Sequence, residues 1–159
     1  MIELRKISIT DDNMKECIEL EIAPEQKGFV TPNVFSLAEA YNNSKNGLAD
    51  MPFAIYAGDV MVGFIMYSFV KEEDDVYGED CYNIWRLMVD KNHQGKGYGR
   101  QAMTKLIDEI KTLPFGEAKH IFTSYKPNNT AARKLYASLG FVETGQMDDD
   151  ELIARLAIK

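Results

Sequence analysis

The run Ile84-Trp85-Arg86-Leu87-Met88-Val89, continuing into Asp90-Lys91-Asn92-His93-Gln94-Gly95-Lys96-Gly97-Tyr98-Gly99-Arg100, constrains this chain more than any other stretch. The apolar part reads as a buried strand. Beyond the loop, Gly99, Met103, Leu106, Ile107 and Ile110 recur at three- and four-residue steps, which predicts a helix with one apolar face. Between them sit three glycines at alternate positions. Glycine admits positive φ and lets a ligand approach a backbone that carries no Cβ. The first N–H groups of a helix have no partner within it and carry partial positive charge. Strand, glycine turn and bare helix start therefore make a pocket for a phosphate-like anion. The plain alternative is a turn that only reverses the chain.

The glycine spacing excludes several phosphate binders. No Gly-x-x-x-x-Gly-Lys-Ser/Thr run exists. A dinucleotide fingerprint needs Gly-x-Gly-x-x-Gly and an acid closing the next strand. Here the spacing is Gly-x-Gly-x-Gly, and the next apolar run, His120-Ile121-Phe122-Thr123-Ser124-Tyr125, ends without an acid. Kinase signatures are absent. What remains is Gln94-x-x-Gly97-x-Gly99 after an apolar strand.

The chain has 159 residues, a length that predicts one domain over 1–159. Its 18 basic and 25 acidic side chains leave a formal charge of −7. Such a chain gains nothing from counterion release, so nucleic acid is not an expected partner. The same charge favours cationic small substrates. Two cysteines, Cys17 and Cys81, stand outside any ligand spacing, and no metal is expected. Reduced thiols, no signal peptide and no apolar run long enough to span a bilayer predict a cytoplasmic protein away from membranes.

Strands are expected at 2–7, 52–57, 60–67, 84–89, 120–125, 141–144 and 151–158. Gly58-Asp59 joins the second and third as a hairpin. Thr10-Asp11-Asp12-Asn13 reads as the start of a helix with Met14, Cys17, Ile18 and Ile22 on one stripe. Asn33 or Ser36 caps a second helix through Tyr41, which Asn46-Gly47 closes. The glycine-loop helix runs to about Lys111, before Leu113-Pro114. The last helix is capped by the asparagines of Lys126-Pro127-Asn128-Asn129, shows Ala132, Leu135, Tyr136 and Leu139 on one face, and ends at Gly140. The acidic segment Lys71–Asp80 reads either as a solvated loop or as one wall of a cation-attracting site. Met147-Asp148-Asp149-Asp150 reads as a polar turn. The order β-α-α-β-β-β-α-β-α-β-β predicts an α/β fold with a mixed, mostly antiparallel sheet and helices on both faces.

Two motifs together carry a resemblance. Gln94-x-x-Gly97-x-Gly99 is followed about thirty residues later by Asn129-x-x-Ala132-x-x-Leu135-Tyr136-x-x-x-Gly140-Phe141. The pair resembles the Gcn5-related N-acetyltransferase (GNAT) family over nearly the whole chain. The resemblance implies the acyl-CoA N-acyltransferase fold and acetyl-CoA as co-substrate. It places Leu87, Met88 and Val89 along the pantetheine and thioester, with Gln94, Gly95, Lys96, Gly97, Tyr98, Gly99 and Arg100 around the pyrophosphate. Asn129 touches the pantetheine from the other side, and Tyr136 protonates or steadies the departing thiolate. Family members are often dimers, so a homo-oligomer is expected.

Within the family, the first half resembles spermidine/spermine (diamine) acetyltransferases through Glu25-Gln26-x-x-Phe29-Val30 and Asn33-x-x-Ser36-Leu37-Ala38-Glu39-Ala40. This implies a small-molecule amine acceptor, most simply a polyamine, with Glu25, Glu79 and Trp85 as acceptor-site residues. An ammonium must lose its proton before it attacks a thioester, since an alkylamine titrates near 10.4, so a base is required. Several polyamine enzymes of the family hold an acid on the central strand where this chain has Trp85 and Arg86. Glu25, Glu79 and Asp80 are the substitutes the sequence offers. Acetylation of a protein amine or an aminoglycoside-like drug is a second reading, and a CoA-binding sensor without turnover a third.

Overall fold

The computed structural model describes residues 1–8, 12–74 and 76–159. Its strands are β1 (Ile2–Lys6), β2 (Ala49–Ala57), β3 (Val60–Val70), β4 (Cys81–Val89), β5 (His120–Tyr125), β6 (Val142–Asp148) and β7 (Glu151–Ala157). Its helices are α1 (Met14–Glu19), α2 (Asn33–Lys45), α3 (Tyr98–Ile110) and α4 (Thr130–Ser138). The strands form one mixed sheet in the order β1-β2-β3-β4-β5-β7-β6. Each neighbouring pair is antiparallel except β4 and β5. That parallel pair has only two rungs, Tyr82↔Ile121 and Asn83↔Phe122, and the strands part beyond them.

The parting begins where β4 is bulged. Tyr67 of β3 faces Ile84 and the preceding Met66 faces Arg86, so Trp85 has no partner across the ladder. An extra residue bends a strand and increases its twist. It also shifts the alternation of side chains. Tyr82, Ile84 and Leu87 join the core under α3 and α4. Trp85 and Met88 join the core under α1 and α2. Arg86 goes with them, since it bonds Ser36 and Glu39 of α2.

The α3 stripe buries Ala102, Met103, Leu106, Ile107 and Ile110, as its spacing requires. Several local expectations differ. The first helix stops at Glu19, and Ile22 lies beyond it in the loop before a single 3-10 turn at Pro24–Gln26. Thr10 and Asp11 of the expected helix start, and Asp75 of the acidic segment, lie outside the described residues. Asn33 and Ser36 do not cap α2; they sit inside it and are buried. Asn33 donates to the Cys17 carbonyl at 2.8 Å, and Ser36 accepts from Arg86 at 3.1 Å. Their polarity serves tertiary contacts rather than the helix end. Met147 and Asp148 extend β6, leaving Asp149-Asp150 as the turn, with Asp149 at φ 48°. Cys17 and Cys81 are buried and form no disulfide among the described residues. No helix among the described residues is long and apolar enough to cross a membrane.

Candidate active site

The gap between β4 and β5 opens a cleft of about 1480 Å³. It is a slot through the sheet, reached from the α3/α4 side at one end and from the α1/α2 side at the other. Beyond Asn83 the β5-facing edge of β4 has no ladder partner.

At the first end lies the loop from β4 to α3. Gly97 is the N-cap of α3 in the left-handed region at φ 77°, and Gly95 is at φ 75°. A Cβ added at either would meet no protein atom within 4 Å. Both therefore border open space, and no side chain caps the helix. Gly99 is an ordinary helical residue that lets Val89 and Leu135 approach. Gln94 donates to the Val89 carbonyl at 2.9 Å and to Gln26 Oε1 at 2.7 Å, which ties the glycine loop to the 3-10 turn. Asn129 caps α4, its Oδ1 accepting from the Ala132 N–H at 3.3 Å.

Tyr136 reaches the slot from α4, stacked on Tyr125 with centroids 5.4 Å apart. Burial pushes its phenol up to about 12; the Thr123 hydroxyl opposes the shift and the Glu151 charge adds to it. The phenol is protonated throughout the physiological range.

At the second end the lining turns acidic and aromatic. Asp148 and Glu151 flank the β6–β7 turn, and Tyr77, stacked on Phe122 at 4.5 Å, comes from the acidic segment. Arg86 is the cation on β4 here, yet it is engaged: it donates to Ser36 and to Glu39, both at 3.1 Å, and lies 4.4 Å over the Trp85 ring. Burial lowers its guanidinium, and the charges of Glu39, Glu151 and Asp50 oppose that. Two side-chain atoms on β4, Asn83 Oδ1 and Trp85 Nε1, are buried with no hydrogen-bond partner among the described residues.

Leu87, Met88, Val89, Gln94, Gly95, Gly97, Tyr98, Gly99, Arg100, Asn129, Tyr136 and Trp85 all line this slot. Lys96 does not; it is exposed on the loop. Glu25 and Glu79 are placed elsewhere as well. Glu25 projects from the 3-10 turn into solvent while its neighbour Gln26 faces in. Glu79 pairs with His120, and Asp80 with Lys71 at 2.8 Å and the Glu72 N–H at 3.0 Å, so the acidic segment spends both on its own anchoring. Sequence reasoning passed over Asn83, Ser124 and Glu151. The one local hint was an acid closing the Asp148-Asp149-Asp150 tract, which reads as a turn.

A slot through a mixed sheet, with a glycine loop and an uncapped helix start at one mouth, is the architecture of the acyl-CoA N-acyltransferase fold. A model of the acetyltransferase (GNAT) family matches residues 14–141, and the chain belongs to that family. A spermine/spermidine N(1)-acetyltransferase of Bacillus subtilis (strain 168) is 30% identical over 145 residues, 89% of each chain. An L-amino acid N-acyltransferase of Escherichia coli (strain K12) is 30% identical over 136 residues, 70% of this chain and 76% of that one. The crystal structure of spermidine N-acetyltransferase from Vibrio cholerae in complex with CoA and spermine has the same fold, with a TM-score of 0.72 at 19% identity over 99% of this chain and 95% of that one. Among the described residues no group of His, Cys, Asp or Glu side chains could hold a metal ion.

Proposed function

We propose that this chain is an acetyl-CoA-dependent N-acetyltransferase whose acceptor is a polyamine such as spermidine or spermine. The observation that carries the reading is the polarity of the slot. Its α3 mouth offers unpaired helix N–H groups beside Gly95 and Gly97, the place for a pyrophosphate. Its other mouth offers the carboxylates of Asp148 and Glu151. The relative from Bacillus subtilis supports the same acceptor class.

Acetyl-CoA supplies the thioester; the chain supplies everything else. Gly95, Gly97 and the start of α3 hold the diphosphate. Leu87, Met88 and Val89 run beside the pantetheine, and the open edge of β4 presents N–H groups to the oxygen that gains charge during transfer. Tyr136 donates a hydrogen bond toward sulfur. A phenol that keeps its proton up to about 12 stabilises a thiolate as a donor first, since a thiol ordinarily titrates near about 8.5. At the other mouth a polycation reacts through one neutral amine while another ammonium rests on a carboxylate, here Asp148. In a partly desolvated cleft such a contact is worth more than an exposed ion pair, which contributes only about 0–1 kcal/mol.

The test is CoA thiol release with acetyl-CoA against spermine, spermidine, putrescine, an L-amino acid, an aminoglycoside and a lysine peptide. Turnover is expected with the polyamines. Turnover with the amino acid, drug or peptide alone would move the acceptor class. Binding of acetyl-CoA without turnover would make the chain a sensor.

A further inference from the structure

Three strands each deliver one polar residue to the same face of the sheet along the slot. Cys81, Phe122 and Ile153 pack together on one face of the sheet. Alternation then puts Asn83, two residues after Cys81, Ser124, two after Phe122, and Glu151, two before Ile153, on that face. Asn83 stands at the last rung of the β4–β5 pair, and Ser124 lies just past it. The Ser124 hydroxyl donates to Glu151 Oε1 at 3.1 Å, which orients the carboxylate across the slot.

We propose that Glu151, oriented by Ser124, is the base that takes the proton from the acceptor ammonium, and that Asn83 Oδ1, farther along the same face of the slot, accepts a hydrogen bond from the acceptor. The inference rests on the reading of the chain as an amine acetyltransferase. Asn83 is 9% exposed and its Oδ1 has no partner among the described residues, so it awaits a donor. Leaving a buried acceptor unpaired is costly, and an amine N–H removes that cost. Other carboxylates near the slot are committed. Glu21 pairs with Lys91, Glu39 holds Arg86, Asp90 accepts backbone N–H groups, and Glu79 holds His120. Asp148 faces Glu151 across the β6–β7 turn, at the rim. The charged and titratable groups that line the cleft with Glu151 on this side are Tyr77, Arg86, Tyr125, Lys126, Tyr136 and Asp148, and Lys126 lies 3.5 Å from Asp150. The Glu151 charge acts on both the Tyr136 phenol and the Arg86 guanidinium.

The step balances. The C–N bond forms as the C–S bond breaks. Of the two protons the ammonium gives up, one goes to Glu151 and then to solvent, and the other ends on sulfur.

The experiment measures kcat and KM for spermidine from pH 6 to 10, with acetyl-CoA affinity by calorimetry. Glu151→Gln is expected to keep acetyl-CoA affinity and lose about 10²–10⁴-fold in kcat. Its residual rate should climb with pH across the whole range, because the amine must then arrive already neutral. Ser124→Ala should lose about fivefold in kcat, the weight of one hydrogen bond. Asn83→Ala should raise KM for the amine more than it lowers kcat. Glu151→Asp, which keeps the charge and shortens its reach, should retain the wild-type shape of the pH profile at reduced kcat, and it carries the test if the glutamine variant does not fold. Wild-type kcat and pH profile in Glu151→Gln, or in the aspartate variant a rate that climbs with pH throughout, would overturn the proposal. A wild-type protein that acetylates no amine would overturn the proposed function itself.

Discussion

Asp90 accepts the backbone N–H of Glu21 at 2.8 Å, joining residues 69 apart in the chain. Its other oxygen accepts the Asn92 N–H at 3.1 Å, and its own N–H donates to the Val62 carbonyl at 2.8 Å. The end of β4 is thereby pinned to the loop after α1, which forms one wall of the slot. Burial pushes the Asp90 carboxyl up, but the Glu21 and Asn92 N–H groups outweigh it and hold the carboxyl below the ordinary range. A carboxyl depressed in the folded state contributes stability above its unfolded value of about 3.9 and loses it as pH falls through the folded value.

Asp90→Asn should therefore destabilise the protein by about 2–3 kcal/mol near neutrality, since hydrogen bonds to a charged group are worth about 1.5–3 kcal/mol. The difference from wild type should shrink as pH falls below about 4. Urea unfolding of both proteins at pH 3, 4 and 7 measures this. A difference that grows toward low pH would contradict the sign.

The glycines of the cradle should separate by conformation. Gly97→Val forces a branched residue to positive φ, which costs about 1–2 kcal/mol, and fills the cradle, so CoA affinity should fall sharply. Gly99→Ala meets Val89 and Leu135 only at 3.8 and 3.9 Å and sits in a helix, where alanine gains up to about 1 kcal/mol. It should fold at least as well as wild type and keep most of its CoA affinity. Thermal unfolding with calorimetric CoA titration checks both variants, and undiminished CoA affinity in Gly97→Val would remove the cradle from the site.

Tyr136→Phe keeps the ring on Tyr125 and removes the hydroxyl. CoA affinity and melting temperature should hold, while turnover falls by about 10²–10⁴-fold. Because the phenol titrates at about 12, wild-type activity should show no alkaline loss attributable to Tyr136 below pH 10. Turnover equal to wild type would make Tyr136 a packing residue alone.

Gly63 on β3 lies against β4, where an added Cβ would stand 2.4 Å from the Met88 carbonyl oxygen. That atom is backbone and cannot swing aside. Gly63→Ala should cost at least about 2 kcal/mol and lower Tm by about 4–8 °C, read by calorimetric melting. An unchanged melting temperature would mean that the two strands separate at little cost.

Local signals carried far in this chain. The strand at His120–Tyr125 has the bounds its residues predict, Asn129 caps α4, and Gly95 and Gly97 take the positive φ that a glycine loop suggests. Polar residues that face inward give weaker local signals. Asn33 and Ser36 look like helix caps, and only packing shows that they reach Cys17 and Arg86.

Hydrophobic period and glycine placement determined the order of elements, the glycine loop and the helix that carries Tyr136, because each depends on residues within a turn or two of one another. Tertiary structure alone decided the other end of the slot. The bulge at Trp85 turns Arg86 onto the α2 side, where Glu39 engages it, and no periodicity announces an unpaired residue. Asn83, Ser124 and Glu151 come from three strands that are neighbours only through crossover connections. Their meeting follows from strand pairing, which joins residues by register rather than by distance along the chain.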